Sequence, residues 1–587
     1  MRFENLVEMQ QHACRQYRDR DLYGTRTDAG FSWTRYSEFG AQVDALRGGL
    51  AALGVGRGDT VAVVADNCAP WAVGAYATYG LGAQYVPLYE QQTADDRDYI
   101  LADSAAKVAL VRNPQTAEQL RQRIGTLGVL QHVVAFEGDG ETDWPALMRH
   151  GAAVPTPVVP SDRSETAGLI YTSGTTGRPK GVIITHGNLL AQLDAVSRVE
   201  DFKPDDRSLA ILPWGHLMGQ IVEVHLLLYC GTSAAIVRDL SKIVDDIPLV
   251  RPTLLYGVPR LFTRICDGVA QSMAARGGLA LRLYHAGLRH ARRAPDSPPP
   301  GLFERLEVAL ARRLVFSKIR ARLGGRLRLA TSGAAALDVE VIRFFDLLGI
   351  PIYEGYGLTE TTMAVTINSR SGRRLGSVGR CLDCARIELD HSAQAGRADE
   401  GEIIVYGPCI TPGYHRLPDE TAKVLTAAGG WRTGDIGRLD ADGYLTITGR
   451  IKEIYKLANG KYVAPAPVEE ALQRCPLIAQ VLIYGENRPF NVALVVPDRT
   501  ALRPLAATVG VDLATPGWTR DPRIHQLIAA EFSARADDMR HFEHPRKFVV
   551  VDEEWTAASG QLTPTLKLKR HVILERYRDE IQRLYAA

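Results

Sequence analysis

Short apolar runs alternate with helix-like segments through the first 445 residues, and this alternation restricts the fold more than any other feature. The clearest strand-like runs are residues 61–64, 85–88, 208–212, 234–237 and 253–256. Runs of this length separated by helical patterns indicate parallel strands, because the intervening helix carries the chain back to the start of the next strand. We therefore predict an α/β fold with parallel sheets covered by helices.

The chain has 587 residues, which exceeds the size of a single hydrophobic core. The strand–helix rhythm ends near residues 449–453. Beyond that point the strands are shorter, as at 481–484 and 492–496, and they are mixed with helices. We predict a large N-terminal domain over residues 1–448 and a small α+β domain over residues 454–587.

Residues 260–322 interrupt this rhythm with a long helical pattern rich in Arg and Ala. The pattern is broken at residues 294–300, where the sequence APDSPPP is typical of a turn or an exposed linker. We predict a helical excursion in two parts.

Charges nearly cancel over the chain, which has 69 Lys and Arg, 67 Asp and Glu, and a net charge of +2. This balance favours no nucleic-acid partner, so any anionic ligand must be held by local groups. The most apolar long window, residues 209–230, contains Glu223 and His225, whereas a membrane-spanning helix needs about 20 consecutive apolar residues. We interpret it as buried core and, because the N-terminus shows no secretory signal, expect a cytoplasmic protein.

The strongest chemical signal is the segment YTSGTTGRPKGV at residues 171–182. A strand at 168–171 leads into a loop of Ser, Thr and Gly, followed by Lys180 and another strand. Glycines let backbone N–H groups approach phosphate oxygens, hydroxyls add donors, and Lys180 adds a positive charge. Pro179 stands where a P-loop has its second glycine, so this segment is not a P-loop. For an arbitrary loop of this composition, a surface turn is the alternative.

Two further segments carry groups suited to a nucleotide. The segment EGYGLTE at 354–360 offers the flat face of Tyr356 to a purine and the hard oxygens of Glu360 to Mg²⁺. The segment TSGAAAL at 331–337 follows a strand-like run and predicts a turn of small residues. A buried ring and a solvated carboxylate are the simpler interpretations of Tyr356 and Glu360 taken singly.

Three more segments follow in the second half of the chain. In WRTGDIG at 431–437, the Asp435 carboxylate can accept hydrogen bonds from both hydroxyls of a ribose. GRIKE occupies the predicted boundary at 449–453, and the basic LTPTLKLKR lies at 562–570. Taken singly, a Thr-Gly-Asp is ordinary turn chemistry and a basic segment is a solvated charge cluster.

In this order, the segments resemble the signature of the adenylate-forming superfamily of acyl-CoA synthetases, firefly-luciferase-like enzymes and nonribosomal peptide adenylation domains. The resemblance covers essentially the whole chain. It implies ATP binding by Thr172, Ser173, Gly174, Thr175, Thr176, Gly177, Lys180, Gly333, Ala334, Glu354, Gly355, Tyr356, Gly357, Thr359, Asp435, Arg450 and Lys567. It also implies catalytic roles for Lys180, His216, Glu360 and Lys567, Mg²⁺ binding by Glu360 and Thr172, and a hinge at Lys452.

The superfamily works in two steps, and the small C-terminal domain is expected to be a mobile lid that rotates about the hinge between them. A lysine of its C-terminal loop contacts the substrate carboxylate and the α-phosphate during adenylation. The final Lys-x-x-Arg pattern assigns this role to Lys567, with Lys569 as the alternative.

Residues 258–318, 457–465 and 562–570 look more like long-chain acyl-CoA synthetases than peptide adenylation domains. We predict a ligase that converts a medium- or long-chain fatty acid to acyl-CoA, using ATP, Mg²⁺ and coenzyme A. An acyl-AMP ligase that loads an acyl carrier protein is the nearest alternative, and a non-catalytic nucleotide-binding regulator is an alternative from another class. Because a fatty substrate arrives from lipid, membrane association is expected to be at most peripheral.

Two segments depart from typical long-chain members, and they leave the acyl chain length open. LPWGHLMG at 212–219 replaces residues that are usually more polar and acidic, and YEQQ at 89–92 is also unusual. Both are expected to border the acyl pocket. His216 matches a histidine near the substrate carboxylate, and a hydrogen-bonded core histidine is the alternative.

Overall fold

The computed structural model describes residues 3–172, 178–239, 242–293, 301–392, 399–535, 539–556, 558–563 and 567–586. The chain divides into two compact units. The first comprises Met1–Ile387, Val405–Trp431 and Ala441–Leu445, and the second comprises Glu388–Ile404, Arg432–Asp440 and Thr446–Ala587. The second unit thus includes two segments that precede the predicted boundary at 449–453, because their strands pair in one sheet with the strand at 445–450. The hinge at Lys452 stays a prediction.

The first unit contains fifteen strands among the described residues: β1 (Asp21–Thr27), β2 (Gly30–Arg35), β3 (Thr60–Val64), β4 (Gln84–Leu88), β5 (Ala106–Val111), β6 (His132–Ala135), β7 (Thr166–Thr172), β8 (Lys180–Thr185), β9 (Arg207–Ala210), β10 (Ser233–Ile236), β11 (Leu254–Gly257), β12 (Leu329–Ser332), β13 (Ile352–Leu358), β14 (Met363–Ile367) and β15 (Arg380–Cys381).

The described helices of the first unit are α1 (Leu6–Gln16), α2 (Tyr36–Ala52), α3 (Ala69–Tyr79), α4 (Ala94–Asp103), α5 (Pro114–Arg121), α6 (Trp144–Ala153), α7 (His186–Ser197), α8 (Leu217–Gln220), α9 (Leu226–Cys230), α10 (Ile243–Val250), α11 (Pro259–Arg276), α12 (Gly278–Ala291), α13 (Leu302–Ala311), α14 (Ser317–Arg322), α15 (Val339–Leu347) and α16 (Pro418–Val424). Two π-helical segments lie at Ile221–His225 and Arg312–Phe316.

Three sheets organise the first unit, and they confirm the α/β prediction with one difference. The sheet orders are β6–β5–β3–β4–β7–β8, β11–β12–β13–β14–β15 and β2–β1–β10–β9. Most neighbours are parallel, and every residue of β3 is buried, as expected for a strand covered on both faces. The sheets are mixed, however, because the pairs β7–β8, β13–β14 and β1–β2 are antiparallel.

The helical excursion is confirmed, since residues 259–322 contain α11 to α14 and no strand in the part that the structure describes. The predicted break at 294–300 lies outside the described residues. The window 209–230 is core, as predicted: Glu223 and His225 are both fully buried within it. Among the described helices, none has the length and apolarity that crossing a membrane requires.

The second unit contains β16 (Arg386–Asp390), β17 (Gly401–Tyr406), β18 (Trp431–Leu439), β19 (Leu445–Arg450), β20 (Tyr455–Lys456), β21 (Tyr462–Val463), β22 (Ile478–Tyr484), β23 (Asn491–Pro497) and β24 (Pro545–Val550). Its described helices are α17 (Pro465–Gln473), α18 (Arg499–Thr508), α19 (Pro522–Ala534), α20 (Arg570–Arg576) and α21 (Arg578–Ala586), with a 3₁₀ turn at Trp518–Arg520.

The sheet β22–β23–β24 separates two apolar cores of the second unit. Alternate residues along a strand point to opposite faces. Val481, Ile483 and Val495 therefore join one core, and Leu482, Leu494 and Val496 join the other. The second core also includes Leu562, at the start of the predicted lysine loop (residues 562–570), and Ile573, just after it. This packing fixes the two ends of the loop.

Candidate active site

The predicted phosphate-binding segment joins β7 to β8. These strands are antiparallel, and Thr172 at the end of β7 is the cross-strand partner of Lys180 at the start of β8. Five predicted ATP-binding residues lie outside the described residues: Ser173, Gly174, Thr175, Thr176 and Gly177. The hairpin therefore brings Thr172 beside Lys180 at the base of the loop.

Lys180 is held by an acidic and an aromatic neighbour. Its Nζ lies 2.7 Å from Glu420 Oε2 and 5.1 Å from the centroid of the Tyr414 ring. The Lys180 ammonium, together with Lys423, lowers the pKa of Glu420 to about 2. Neither neighbour was predicted from the sequence, because Glu420 lies 240 residues from Lys180 and no local pattern indicates a contact over that separation.

Glu360 contacts the same tyrosine at its hydroxyl. Tyr414 Oη donates to Glu360 Oε1 at 2.8 Å, and the Glu360 carbonyl accepts the Thr411 N–H at 2.9 Å. Burial raises the pKa of Tyr414, so its hydroxyl stays protonated and remains a donor. Tyr414 thereby connects Lys180 and Glu360, two residues that were predicted from separate motifs.

The turn that carries Glu360 is held in a strained conformation. Thr362 and Met363 have φ of 55° and 96°, in the left-handed region that non-glycine residues rarely adopt. The Thr362 hydroxyl donates to the Cys409 carbonyl at 2.7 Å, and the Thr361 hydroxyl accepts the Leu358 N–H at 2.9 Å. These bonds hold the turn in place, so the position of Glu360 is fixed by its surroundings.

Glu360 fits the requirements of a Mg²⁺ ligand. Its Oε1 is bonded to Tyr414, whereas its Oε2 makes no hydrogen bond within the described part of the chain. Magnesium takes one or two protein oxygens and completes its shell with phosphate oxygens and water. One carboxylate, with the predicted Thr172 hydroxyl as a second oxygen donor, therefore suits this ion better than a dedicated cluster of side chains.

The turn predicted to lie against adenine follows β12. In the parallel pair β12–β13, Ser332 is opposite Glu354, and Glu354 Oε1 accepts the Leu337 N–H at 3.0 Å. Ala334 has a φ of 72°, which destabilises a non-glycine residue by about 1 kcal/mol. The turn at Gly333 and Ala334 is thus fixed by its connection to β13.

Four predicted nucleotide-binding residues lie along β13, namely Glu354, Gly355, Tyr356 and Gly357. Tyr356 is half-exposed, and Thr359 just beyond the strand is buried. Stacking on a purine requires an aromatic ring that is at least partly accessible, and the partial exposure of Tyr356 is compatible with this.

We expect Gly357→Ala to lower the free energy of unfolding by about 3 kcal/mol, among the large effects of single substitutions. A Cβ at this position would lie 1.5 Å from the Met363 carbonyl oxygen, so β13 and β14 would have to separate. The midpoint of thermal unfolding measures the loss. Gly355→Ala is the matched control, because its Cβ would meet nothing closer than the Thr366 carbonyl oxygen at 3.1 Å. Equal midpoints for the two variants would contradict this account.

His216 caps the short helix α8. Its Nδ1 accepts the Met218 N–H at 3.2 Å, so the neutral imidazole carries its proton on Nε2. A Cβ on Gly333 would lie 3.1 Å from Met218 Sδ. This contact packs α8 against the turn at 331–337, and His216 therefore lies on the element beside the predicted adenine turn.

The loop before His216 is anchored by two buried polar residues, Glu223 and Asn67, which are not among the predicted site residues. Glu223 Oε1 accepts the Ile211 N–H at 3.1 Å, and Glu223 Oε2 accepts the Trp214 indole N–H at 3.1 Å. Burial raises the pKa of Glu223 to about 8. The Asn67 amide donates to the Leu212 carbonyl and accepts the Trp214 N–H, both at 2.8 Å. An isolated acid in the apolar window 209–230 was the available signal for such an anchor.

The two segments predicted to border the acyl pocket touch each other. The Tyr89 ring lies 3.0 Å from the position that a Cβ on Gly215 would occupy. Trp214, by contrast, is core: it is 1% exposed, and its ring centroid lies 5.5 Å from Tyr23 and 5.6 Å from Trp71.

In the second unit, the predicted ribose-binding residues form an ion pair. Arg450 Nε lies 2.7 Å from Asp435 Oδ1, and Asp435 is only 5% exposed. Lys452 is exposed in the turn that follows β19. The motifs at 431–437 and 449–453 are thus brought together by the pairing of β18 with β19.

The predicted lysine loop is closed at its base by two hydrogen bonds. The Thr563 N–H donates to the Lys567 carbonyl at 2.8 Å, and the Lys567 N–H donates to Thr563 Oγ1 at 3.0 Å. Residues 564–566 lie outside the described residues. Lys567 is exposed, whereas Lys569 is half-buried just before α20. This difference in exposure favours Lys567 as the residue that reaches a ligand.

Arg570 connects this loop to the predicted hinge. It pairs with Glu453, at 3.7 Å, in the turn that contains Lys452, and with the buried Glu469 of α17. The lysine loop and the hinge turn are therefore parts of one connected structure in the second unit.

Comparison with known proteins identifies the family. Residues 10–415 match the model of the AMP-binding enzyme family, and residues 452–587 match that of the AMP-binding enzyme C-terminal domain. The long-chain-fatty-acid–CoA ligase FadD15 of Mycobacterium bovis is 33% identical, with 96% of this chain and 94% of the relative covered. Long chain acyl-CoA synthetase 7 of Arabidopsis thaliana, a peroxisomal protein, is 30% identical, with 98% and 85% covered.

Solved structures show the same fold. The adenylation domain of a carboxylate reductase from Mycobacterium chelonae has a TM-score of 0.77 at 24% identity, with 99% of this chain and 91% of that chain covered. ATP-bound MatB from Rhodopseudomonas palustris has a TM-score of 0.72 at 24% identity, with 98% and 99% covered. The family matches, the near full-length relatives and this fold together show that the chain belongs to the AMP-binding enzyme family of adenylate-forming enzymes.

Proposed function

We propose that the chain is an ATP-dependent ligase that converts a fatty acid to its acyl-CoA through an acyl-adenylate, with release of AMP and pyrophosphate. The observation that carries this proposal is 33% identity over 96% of the chain to a relative named as a long-chain-fatty-acid–CoA ligase. The convergence of Lys180 and Glu360 on Tyr414 supports it, because it provides a cation and a carboxylate in one phosphate-binding region.

In the first half-reaction, a carboxylate oxygen of the acid attacks the α-phosphorus of ATP, and the bond to pyrophosphate breaks. Both reactants are anionic, so catalysis rests on positioning and charge neutralisation. We assign these tasks to Lys180 and Lys567. Mg²⁺ bound by Glu360 and Thr172 would neutralise phosphate charge when present.

The remaining predicted residues hold the nucleotide in this proposal. Tyr356 stacks on adenine, and the backbone at Gly333 and Ala334 lines the edge of the base. Asp435 accepts the ribose hydroxyls, and Arg450 orients the Asp435 carboxylate through their ion pair. His216 donates from Nε2 to an oxygen of the substrate carboxylate, since its Nδ1 is already an acceptor.

In the second half-reaction, the sulfur of coenzyme A attacks the acyl carbonyl carbon. The bond from that carbon to the AMP oxygen breaks, and the thiol proton leaves to solvent. The acid in this proposal is a medium- or long-chain fatty acid. Tyr89 and Gly215 border its pocket, so their contact contributes to chain-length preference.

Release of AMP and pyrophosphate from Mg-ATP, with and without coenzyme A, tests the function. Acids from acetate to oleate, with benzoate as a non-fatty control, are compared. We expect sustained turnover only with coenzyme A, and a maximum among the medium or long chains.

Two other results would replace the proposal. Pyrophosphate exchange that is indifferent to coenzyme A, followed by transfer to an acyl carrier protein, would indicate the carrier-loading alternative. Nucleotide binding without turnover of any acid would favour a non-catalytic regulator.

A further inference from the structure

The helical excursion carries an unusual excess of positive charge. Residues 259–322 contain thirteen Lys and Arg and four Asp and Glu, a net charge of +9, whereas the whole chain has +2. The rest of the chain is therefore net negative. Such a concentration of charge creates a local field that attracts an anionic partner.

One helix of this excursion, α13 with the π-helical turn after it, also exposes a row of apolar side chains. Leu302, Leu306, Leu310 and Leu314 recur every four residues and are 73%, 60%, 43% and 40% exposed. Phe303 beside them is 88% exposed. Residues at this spacing lie on one side of a helix, so the five form a continuous apolar face toward solvent.

In the part of the chain that the structure describes, α13 packs through the face opposite this apolar row. Val308, Ala311 and Val315 are buried, and α13 packs against α12. A helix that is apolar on two opposite faces is normally covered on both. Single exposed apolar residues are ordinary, whereas a row of five indicates a binding surface.

Arginines flank this apolar face. Arg305, Arg312 and Arg313 are all exposed, and none forms an ion pair with another residue that the structure describes. Together with His290 they line a groove of about 660 Å³. Guanidinium groups that lack carboxylate partners are suited to phosphate, which they bind by two parallel hydrogen bonds.

We propose that α13 and the turn after it dock the protein on an anionic lipid bilayer, with the five apolar side chains in the interface and the three arginines at lipid phosphates. An amphipathic helix with Leu and Phe on one side and Arg beside them has the composition of helices that lie in the plane of a membrane. The net charge of +9 on the excursion is complementary to the negative surface of such a bilayer. The inference is independent of the proposed catalytic activity.

Co-sedimentation with vesicles tests the proposal. We expect the protein to bind vesicles of phosphatidylcholine mixed with phosphatidylglycerol and to bind pure phosphatidylcholine at least about tenfold more weakly. Added salt should weaken the binding, because exposed charges are screened. Equal binding to both kinds of vesicle, or to neither, would overturn the proposal.

Two double variants locate the surface. We expect Phe303→Glu with Leu306→Glu, and separately Arg305→Glu with Arg312→Glu, to reduce vesicle binding at least about tenfold, by removing the apolar and the electrostatic contribution respectively. All four side chains are exposed, so the midpoint of thermal unfolding should not change. Leu505→Glu is the matched control, because Leu505 is a 40%-exposed leucine of the second unit.

Two results of these variants would contradict the proposal. Vesicle binding that is unchanged in both double variants would show that another surface is used. If the wild-type protein is a dimer in size-exclusion chromatography and Phe303→Glu with Leu306→Glu makes it a monomer, a second copy of the chain covers the face instead of lipid.

Discussion

Replacing Lys567 by alanine should reduce the rate of acyl-adenylate formation by about 10²- to 10³-fold, the usual effect of removing one group that neutralises charge in a transition state. The fold should not be affected, because the loop is closed by the Lys567 backbone and by Thr563, while the Lys567 side chain is exposed. Pyrophosphate exchange with ATP and oleate measures this half-reaction. Conversion of a supplied oleoyl-adenylate to oleoyl-CoA measures the other, and we expect it to persist.

Lys569→Ala is the matched control, since it removes the same charge two residues away. Lys569 is half-buried and lies just before α20, so its loss should change adenylation less than tenfold. The opposite ranking of the two variants would transfer the catalytic role to Lys569. An equal loss of both half-reactions in Lys567→Ala would indicate that the lysine acts in more than adenylation.

Local patterns in the sequence were sufficient to predict the fold class and several of its strands. The apolar run at 61–64 is β3, and the run at 234–237 overlaps β10, because continuous apolar runs of this length are typical of strands covered on both faces. Strand–helix alternation predicted parallel pairing, which is right for most neighbours in the first unit and wrong for the others. A side-chain pattern describes which faces of a strand are buried, and it is the same for parallel and antiparallel neighbours. The antiparallel pairs β7–β8 and β13–β14 were missed for this reason.

The motifs predict residues for the chemistry, an assignment that stays a prediction, and the structure adds the contacts that hold those residues. Tyr414 lies 54 residues from Glu360, and Glu420 lies 240 residues from Lys180, so neither contact leaves a local signature. Glu223 is similar: its isolated position in an apolar window indicated a buried acid, but only the fold shows that it accepts the indole N–H of Trp214. The supporting contacts of a site depend on tertiary structure, whereas the residues predicted to react stand in short motifs.

The backbone strain near Glu360 also depends on tertiary contacts and not on a local sequence motif. Nothing in the sequence around Thr362 and Met363 indicates positive φ, because Gly or Asn would be the usual residues there. The conformation persists because the Cys409 carbonyl accepts the Thr362 hydroxyl. Strain that the surroundings maintain is common where a side chain must be fixed in advance of ligand binding.

Glu360→Gln should reduce adenylation by about 10²- to 10³-fold, the effect expected from losing charge stabilisation at the phosphates. The amide oxygen of Gln can still accept the Tyr414 hydroxyl, so the substitution removes the negative charge and keeps the hydrogen bond. Pyrophosphate exchange is measured at constant ATP over a series of Mg²⁺ concentrations. If Glu360 binds the metal, the Mg²⁺ concentration at half-maximal rate should rise at least about tenfold, a change that a merely structural role would not produce.

Tyr414→Phe tests the hydrogen bond that holds Glu360 separately from the negative charge of Glu360. This variant removes the hydrogen bond to Glu360 Oε1 but keeps the carboxylate and the aromatic ring near Lys180. Its adenylation rate should fall about tenfold, because a hydrogen bond to a charged group contributes about 1.5 kcal/mol or slightly more, and its Mg²⁺ dependence should be unchanged. If Tyr414→Phe is as slow as Glu360→Gln at every Mg²⁺ concentration, the orientation of Glu360 controls the reaction and its charge does not. If Glu360→Gln keeps the wild-type Mg²⁺ dependence, Glu360 is not the metal ligand, and the ion must be held by the phosphates and other residues.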